Sequence, residues 1–331
     1  SHLKSSFTRR TAILALAAAL VLSGSASALF GSKTEQPEAE GGAPQARNLE
    51  VKTYRGISCQ GQFLTAGGED GEMTFSLVDQ PRKGVVVIEG NTFTYAPDDG
   101  ITGSDSFTYT ATDSAGRTSL PAEVKVSIQK ARSGVNYADT ADSPAAAAAQ
   151  ELAEAGIFTG CKIGNQYFFE PDRPVSRGEF LALVMEASGR EVTSVTMTGF
   201  CDDEAIPTWA KAYAAAGVTD GVMQGTATAE GLAFRSGDAI TFNEAATVLD
   251  RVLDLGNVEL DVWYADREEV PSWAAQAVGN MEAVSVLAAG SFGSLTMEEP
   301  VTRGDAAQML SAARTLLEGQ EEKSGLFGWL K

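Results

Sequence analysis

Three stretches of this 331-residue chain say nearly the same thing. "EPDRPVSRGEF" at 170–180 returns as "EEPVTRGDA" at 298–306, and a weaker copy, "GDAITFNEA", stands at 237–245. A second set of words keeps step with the first: "YADTADSPAAAAA" (137–149), "FCDDEAIPTWAKA" (200–212) and "YADREEVPSWAAQ" (264–276). Each of these begins with an aromatic residue two places before an aspartate (Asp139, Asp202, Asp266), and a proline follows five places later (Pro144, Pro207, Pro271). Proline preorganises the first turn of a helix. Two places on come Ala146, Trp209 and Trp273. The aspartates are 63 and 64 residues apart, and Val175, Ile240 and Val301 are 65 and 61 apart. Repetition at this period demands one local architecture used three times, each unit long enough for two helices. The units are placed at 137–199, 200–262 and 263–317, with a tail at 318–331.

The repeated words contain a helix start. Ser176 with Glu179, Thr241 with Glu244, and Thr302 with Asp305 each set a hydroxyl three residues before an acid. That is a capping box, in which the hydroxyl accepts from an orphan amide and the acid reaches back to the cap residue's amide. Capping accounts for the hydroxyl and the acid but not for Arg177 and Arg303, which the middle copy replaces with Phe242. Two readings of these arginines stand: solvated surface, or a ligand contact. On either, changing one to alanine is expected to leave stability within about 0.5 kcal/mol.

These words resemble S-layer homology (SLH) domains, whose pattern runs F-x-D, then a helix with Trp-Ala, then Gly-rich loops, then F-x-P and Thr-Arg-Ala-Glu. "FFEPDRPVSRGEFLALV" (168–184) and "EEPVTRGDAAQML" (298–310) match the second half, and "IPTWAKAYAAAGVTDG" (206–221) and "VPSWAAQAV" (270–278) the first. The resemblance implies an all-α pseudo-threefold SLH triplet. It implies non-covalent binding of secondary cell-wall polysaccharide, often through a pyruvate ketal, in grooves between units. By the same resemblance Arg177, Arg303, Trp209, Trp273, Asp139, Asp202 and Asp266 are the candidate ligand contacts. Guanidinium answers a planar carboxylate with paired hydrogen bonds, and an indole offers an apolar face to a sugar ring. The tryptophans have a second reading as core residues. Ala146 replaces tryptophan in the first unit, Phe242 replaces arginine in the second, and in the short loop of the third Leu295 replaces the expected phenylalanine, so no unit is complete.

Residues 50–130 have a different period. Phe107, Tyr109 and Ala111 alternate with Ser106, Thr108 and Thr110, and Val124, Val126 and Ile128 alternate with Lys125 and Ser127. Alternation broken by Gly, Asp and Pro predicts a small antiparallel β-sandwich. "FTYAPDDGITGSDSFTYTATDSAGRTSLPAEVKVSI" resembles bacterial cadherin-like or Ig-like repeats of surface proteins, which serve as spacers or adhesive modules. Asp98, Asp99, Asp105 and Asp113 read as turn caps in preference to calcium ligands. A linker at 131–136 joins the two regions.

The first 28 residues read as an export signal: Lys4, Arg9 and Arg10, an apolar run from Ala12 to Leu22, then Ala26-Ser27-Ala28. Residues 29–49 read as a flexible leader. Without the three basic residues of the signal, 22 basic side chains face 44 acidic ones, a net −22. Such a surface opposes nucleic acid and anionic lipid. The one histidine, His2, falls inside the signal. A chain without histidine builds neither a Ser-His-Asp triad nor a His-ligated zinc site, so neither an enzyme, a metal nor a cofactor is expected. Cys59, Cys161 and Cys201, odd in number and scattered, are expected as free thiols. The expectation is an exported cell-surface protein held on wall polysaccharide. The alternatives are a subunit of a surface array and a carbohydrate-active enzyme working through carboxylates.

Overall fold

The alternating segments do form strands. The computed structural model describes residues 41–260, 271–288 and 295–328, with side chains up to Lys323. Contacts divide the chain into two compact units. One holds the strands up to Gly134 and includes Ala141–Gln150; the other holds Val135–Thr140, Glu151–Val258 and the helices that follow.

The first unit contains β1 (Gln45–Ala46), β2 (Leu49–Tyr54), β3 (Cys59–Gln62), β4 (Thr65–Ala66), β5 (Thr74–Leu77), β6 (Gly84–Glu89), β7 (Thr92–Pro97), β8 (Gly103–Thr112) and β9 (Ala122–Gln129). They form a four-stranded sheet in the order β2-β9-β8-β5 and a three-stranded sheet in the order β3-β7-β6. Strand β9 pairs antiparallel with β8, Val124 opposite Phe107, and parallel with β2, Val124 opposite Leu49. The alternation read from the sequence fixes which face is inward: Phe107, Tyr109, Ala111, Val124, Val126 and Ile128 are all buried. Phe63 joins them, its ring centroid 4.4 Å from Tyr109 and 4.9 Å from Phe93. The β1 strand and the start of β2 lie inside the stretch expected as leader, so the sheet region begins earlier than position 50.

Several polar side chains in this unit are hydrogen-bonded to the backbone. The Tyr109 hydroxyl donates to the Arg47 carbonyl at 2.6 Å and accepts from the Arg47 amide at 3.1 Å. Burial pushes the phenol well above its usual pKa. Two of the aspartates weighed as turn caps have their carboxylates occupied. Asp105 accepts from the Tyr95 hydroxyl at 2.7 Å and from the amides of Lys83 and Ser106, both at 2.9 Å. Asp113 accepts from the amides of Glu69 and Arg117 at 2.8 and 2.9 Å and from Arg117 Nε at 3.0 Å. Burial opposes ionisation of both carboxyls, but these bonds outweigh it and hold both below the usual carboxylate range.

Among the described residues the α-helices are α1 (Ala146–Glu154), α2 (Arg177–Ala187), α3 (Thr208–Thr219), α4 (Phe242–Leu253), α5 (Ser272–Ala283) and α6 (Arg303–Gly328). The loops expected before the repeated words are hairpins: β10 (Cys161–Ile163) with β11 (Gln166–Phe168), and β12 (Thr226–Thr228) with β13 (Gly231–Ala233). Helix α6 runs on through much of the stretch expected as tail.

In the second unit the three repeated words meet. The Val175 amide donates to the Val301 carbonyl at 2.9 Å, Val301 to Ile240 at 2.8 Å, and Ile240 back to Val175 at 3.2 Å. Every member of this closed ring is buried, none more than 1 % exposed. Cys59 is buried, Cys161 and Cys201 are exposed, and all three are free. Burial pushes the Cys59 thiol up to about 12. Among the described residues no helix is long and apolar enough to cross a membrane.

Tyr109→Phe removes the hydroxyl that donates to the part-buried Arg47 carbonyl, while the Arg47 amide keeps its bond to the Leu64 carbonyl, and should destabilise the first unit by about 0.5–1.5 kcal/mol, with the strand structure retained. Urea denaturation followed by far-UV circular dichroism measures the loss; an unchanged midpoint would mean that water replaces the hydroxyl.

Candidate functional site

The repeated words are helix starts. Ser176 Oγ accepts from the Glu179 amide at 3.1 Å, Thr241 Oγ1 from Glu244 at 3.2 Å, and Thr302 Oγ1 from Asp305 at 3.1 Å. Among these, only Asp305 reaches back, accepting from the Thr302 amide at 3.0 Å, so one capping box is complete. Glu244 instead accepts from the Thr241 hydroxyl at 3.2 Å and pairs with Arg177.

The arginines are not on the surface. Arg177 is 4 % exposed and Arg303 8 %. Arg177 Nε donates to the Phe234 carbonyl at 3.0 Å, and its Nη1 pairs with Glu244, the acid of the next repeated word. Arg303 Nε donates to the Phe169 carbonyl at 2.6 Å, and its guanidinium lies over the Phe158 ring at 4.4 Å. Burial lowers the pKa of both arginines; it is opposed by Glu244 at Arg177, and by Glu179 and Glu170 at Arg303. Backbone bonds follow the same course. The amides of Arg177 and Gly178 donate to Asp238 and Ser236 at 2.8 and 3.0 Å, and those of Arg303 and Gly304 to Arg173 and Pro171, both at 2.8 Å. A Cβ at 178 would meet Ser236 Oγ, and that hydroxyl would have to turn away. Each arginine thus ties its repeat to the loop of another. The expectation that either can be removed at a cost within about 0.5 kcal/mol therefore fails, because that range holds for solvated side chains.

The aspartates complete the tie. Asp139 accepts from the amides of Phe169 and Glu170 at 2.9 and 2.8 Å, and Asp202 from those of Phe234 and Arg235, both at 2.8 Å. Glu170 and Arg235 have φ of 56° and 59°, left-handed values that a side chain disfavours. The two bonds from one carboxylate hold that conformation and aim the Phe169 and Phe234 carbonyls at the arginines. Both oxygens of Asp139 and Asp202 are committed to their own backbone; Asp266 lies outside the described residues. In the middle copy Phe242 has no guanidinium to offer. Its neighbour Asn243, almost fully buried, donates from Nδ2 to Glu298 at 2.7 Å instead.

The tryptophans face solvent. Trp209 is 51 % exposed and Trp273 58 %, so the core reading fails for both. Ala146, their counterpart in the first of the three repeats, is buried and offers no ring. Trp209 stands on the first turn of α3, after Pro207, and forms one wall of a cleft of ≈ 400 Å³. Arg173, Pro174, Ser176, Glu179, Ser236, Gly237 and Ala239 line the same cleft. Arg173 is the one cation lining this cleft, and its Nη1 pairs with Glu170 at 3.1 Å. Sequence reasoning missed Arg173. Its counterparts, Asp238 and Glu299, are acidic, so a search for repeated residues passes over it.

Arg177→Ala and Arg303→Ala should each leave a buried carbonyl without its donor and cost at least about 1–3 kcal/mol. Chemical denaturation of the two variants checks this; a loss below about 0.5 kcal/mol would return the arginines to the class of surface residues.

Comparison with known proteins divides the chain in the same way. Residues 42–127 match the model of the bacterial Ig domain, and residues 136–181 that of the S-layer homology domain. No curated protein matches. Among solved structures, the chain is similar over 28 % of its length to 14 % of an endo-fucoidan hydrolase of glycoside hydrolase family 107, at 16 % identity and a TM-score of 0.23. It is similar over 27 % of its length to 99 % of the fibronectin(III)-like modules of Clostridium thermocellum CbhA, at 16 % identity and a TM-score of 0.18. The titin M3 domain is matched over 96 % of its own length, at 14 % identity and a TM-score of 0.17. The chain spans 14 % and 18 % of the first two glycosidase chains it resembles, and likenesses of this size carry no functional argument. The chain carries a bacterial Ig domain followed by an S-layer homology domain.

Proposed function

We propose that the helical unit is a triplet of SLH repeats that anchors an exported surface protein non-covalently to cell-wall polysaccharide, with the Ig domain as spacer. The closed ring of Val175, Ile240 and Val301 supports the triplet, since three equivalent segments donate to one another in turn. So does the pair of arginine ties, in which one repeat's cation meets another's carbonyl.

One observation carries the anchoring reading: an indole half-exposed beside an open, mostly polar cleft. A large apolar ring left in water at the mouth of a cleft marks a binding surface. A sugar ring stacks on the indole face while its hydroxyls meet Glu179, Ser176 and Arg173, which line the same cleft. Trp273 supplies a second such ring on α5, after Pro271. The arginines and aspartates of the repeated words stand behind this surface and fix the geometry of its walls. The protein acts by binding and not by catalysis on this reading; incubation with wall polymer should release no shorter fragments.

The full chain should be retained by purified cell walls and lost when the secondary polysaccharide is stripped from them. Trp209→Ala removes an exposed side chain, so stability should stay within about 0.5 kcal/mol. Affinity for intact walls should fall about tenfold, the equivalent of ~1.4 kcal/mol. Equal retention on stripped and intact walls would overturn the anchor.

A further inference from the structure

One edge of the three-stranded sheet in the Ig domain is open, and it is complementary to itself. We propose that strand β6 (Gly84–Glu89) pairs antiparallel with β6 of a second copy of this chain, about a twofold axis at Val86. The pairing is independent of what the helical unit binds.

The backbone sets the register. In the order β3-β7-β6, strand β6 is outermost, and among the described residues no strand pairs with its far side. The Asp98 amide donates to the Lys83 carbonyl at 2.8 Å, and Gly84 stands opposite Pro97. Hydrogen-bonded pairs alternate along an antiparallel ladder. Lys83, Val85, Val87 and Glu89 therefore turn their backbone groups to β7, and Gly84, Val86 and Ile88 turn theirs outward. An antiparallel copy meets all three when Val86 stands opposite Val86 and Gly84 opposite Ile88. Open apolar edges are ordinarily blunted by a proline, a bulge or a charge. From Gly84 to Ile88 there is none, and the pairing with β7 is unbroken.

The side chains choose the same register. Val85 and Val87, 59 % and 54 % exposed, share the outer face of the strand. Pairing about Val86 sets Val85 opposite Val87 and Lys83 opposite Glu89, each twice by symmetry. Facing β-branched side chains and facing opposite charges both stabilise a cross-strand pair. Among the described residues neither Lys83 nor Glu89 is held in an ion pair, and Lys83 Nζ rests beside Gly103. A slip of two residues leaves one outward-facing residue unmatched. It also sets Lys83 against Val87, or Glu89 against Val85. This match of a strand with its own reverse is what a twofold, isologous interface requires. It selects a second copy over a strand of another protein.

Sedimentation equilibrium of the full chain tests the pairing, at about 0.15 M salt so that repulsion between two acidic surfaces is confined to about 8 Å. The chain should be monomeric near ~5 μM and increasingly dimeric toward ~500 μM, as an interface smaller than the standard class allows. Val87→Lys puts a cation against Val85 twice per pair and should weaken association at least about tenfold. Lys83→Glu and Glu89→Lys each set like charges opposite one another and should each weaken it about fivefold. Bulk charge predicts opposite effects for those two variants, since one makes the chain more acidic and the other less. An equimolar mixture of the two, and the double variant alone, restore both charge pairs and should return association to within about twofold of the unaltered chain. Circular dichroism melts of every variant confirm the fold. A monomer over the whole range overturns the proposal and leaves the edge to a strand of another protein. A dimer indifferent to Val87→Lys overturns it as well. So do charge variants that associate like the unaltered chain, or folded ones whose mixture does not recover.

Discussion

Three backbone hydrogen bonds, from Val175 to Val301, from Val301 to Ile240 and from Ile240 to Val175, are the constraint on which the second unit depends. Residues 61 and 65 apart in sequence are brought to hydrogen-bonding distance, and each is sealed from water. Loop closure over such separations is costly in entropy. The closure holds because every donor in the ring meets an acceptor and every side chain is apolar, so no buried polar group is left over. The helix starts that follow at Ser176, Thr241 and Thr302 are placed by this ring, and the cleft beside Trp209 takes one wall from the same segment.

Around the ring, the repeated arginine and aspartate form a relay. The aspartate bonds two successive amides and stabilises a left-handed residue; the carbonyl thereby aimed outward accepts from an arginine of another repeat. One relay ends on Phe169 and the other on Phe234. In the middle copy the exchange of Arg for Phe242 and of Gly for Asn243 goes together with a side-chain bond from Asn243 to Glu298. The copies diverge where a different donor can reach the neighbouring repeat, and they stay alike in the hydroxyl that caps the helix.

The consequence for function is a division of labour. The recurring arginines and aspartates are committed within the unit, while the cleft beside Trp209 is lined both by recurring residues, Ser176 and Glu179, and by Arg173, which does not recur. Arg173 stands where the other copies have Asp238 and Glu299, and Trp209 where the first unit has Ala146. The three copies therefore differ in charge and in aromatic content at these positions.

Much was legible from the chain alone. The period of two in Phe107–Ala111 and Val124–Ile128 gave the sandwich and its inward face, because a pleated strand alternates its side chains. The triple Ser/Thr-x-x-acid gave three helix starts, because a cap is local chemistry settled within four residues. Burial was not legible. Arg177 and Arg303 read as solvated or ligand-facing because a guanidinium is costly to bury, and only the carbonyls of Phe169 and Phe234, delivered by other repeats, make that burial tolerable. Trp209 and Trp273 read equally as core or surface, and the direction of helices α3 and α5 decided for solvent. Local periodicity and capping belong to the sequence; which charged groups find partners, and which are left for a ligand, depends on segments more than sixty residues apart meeting in space.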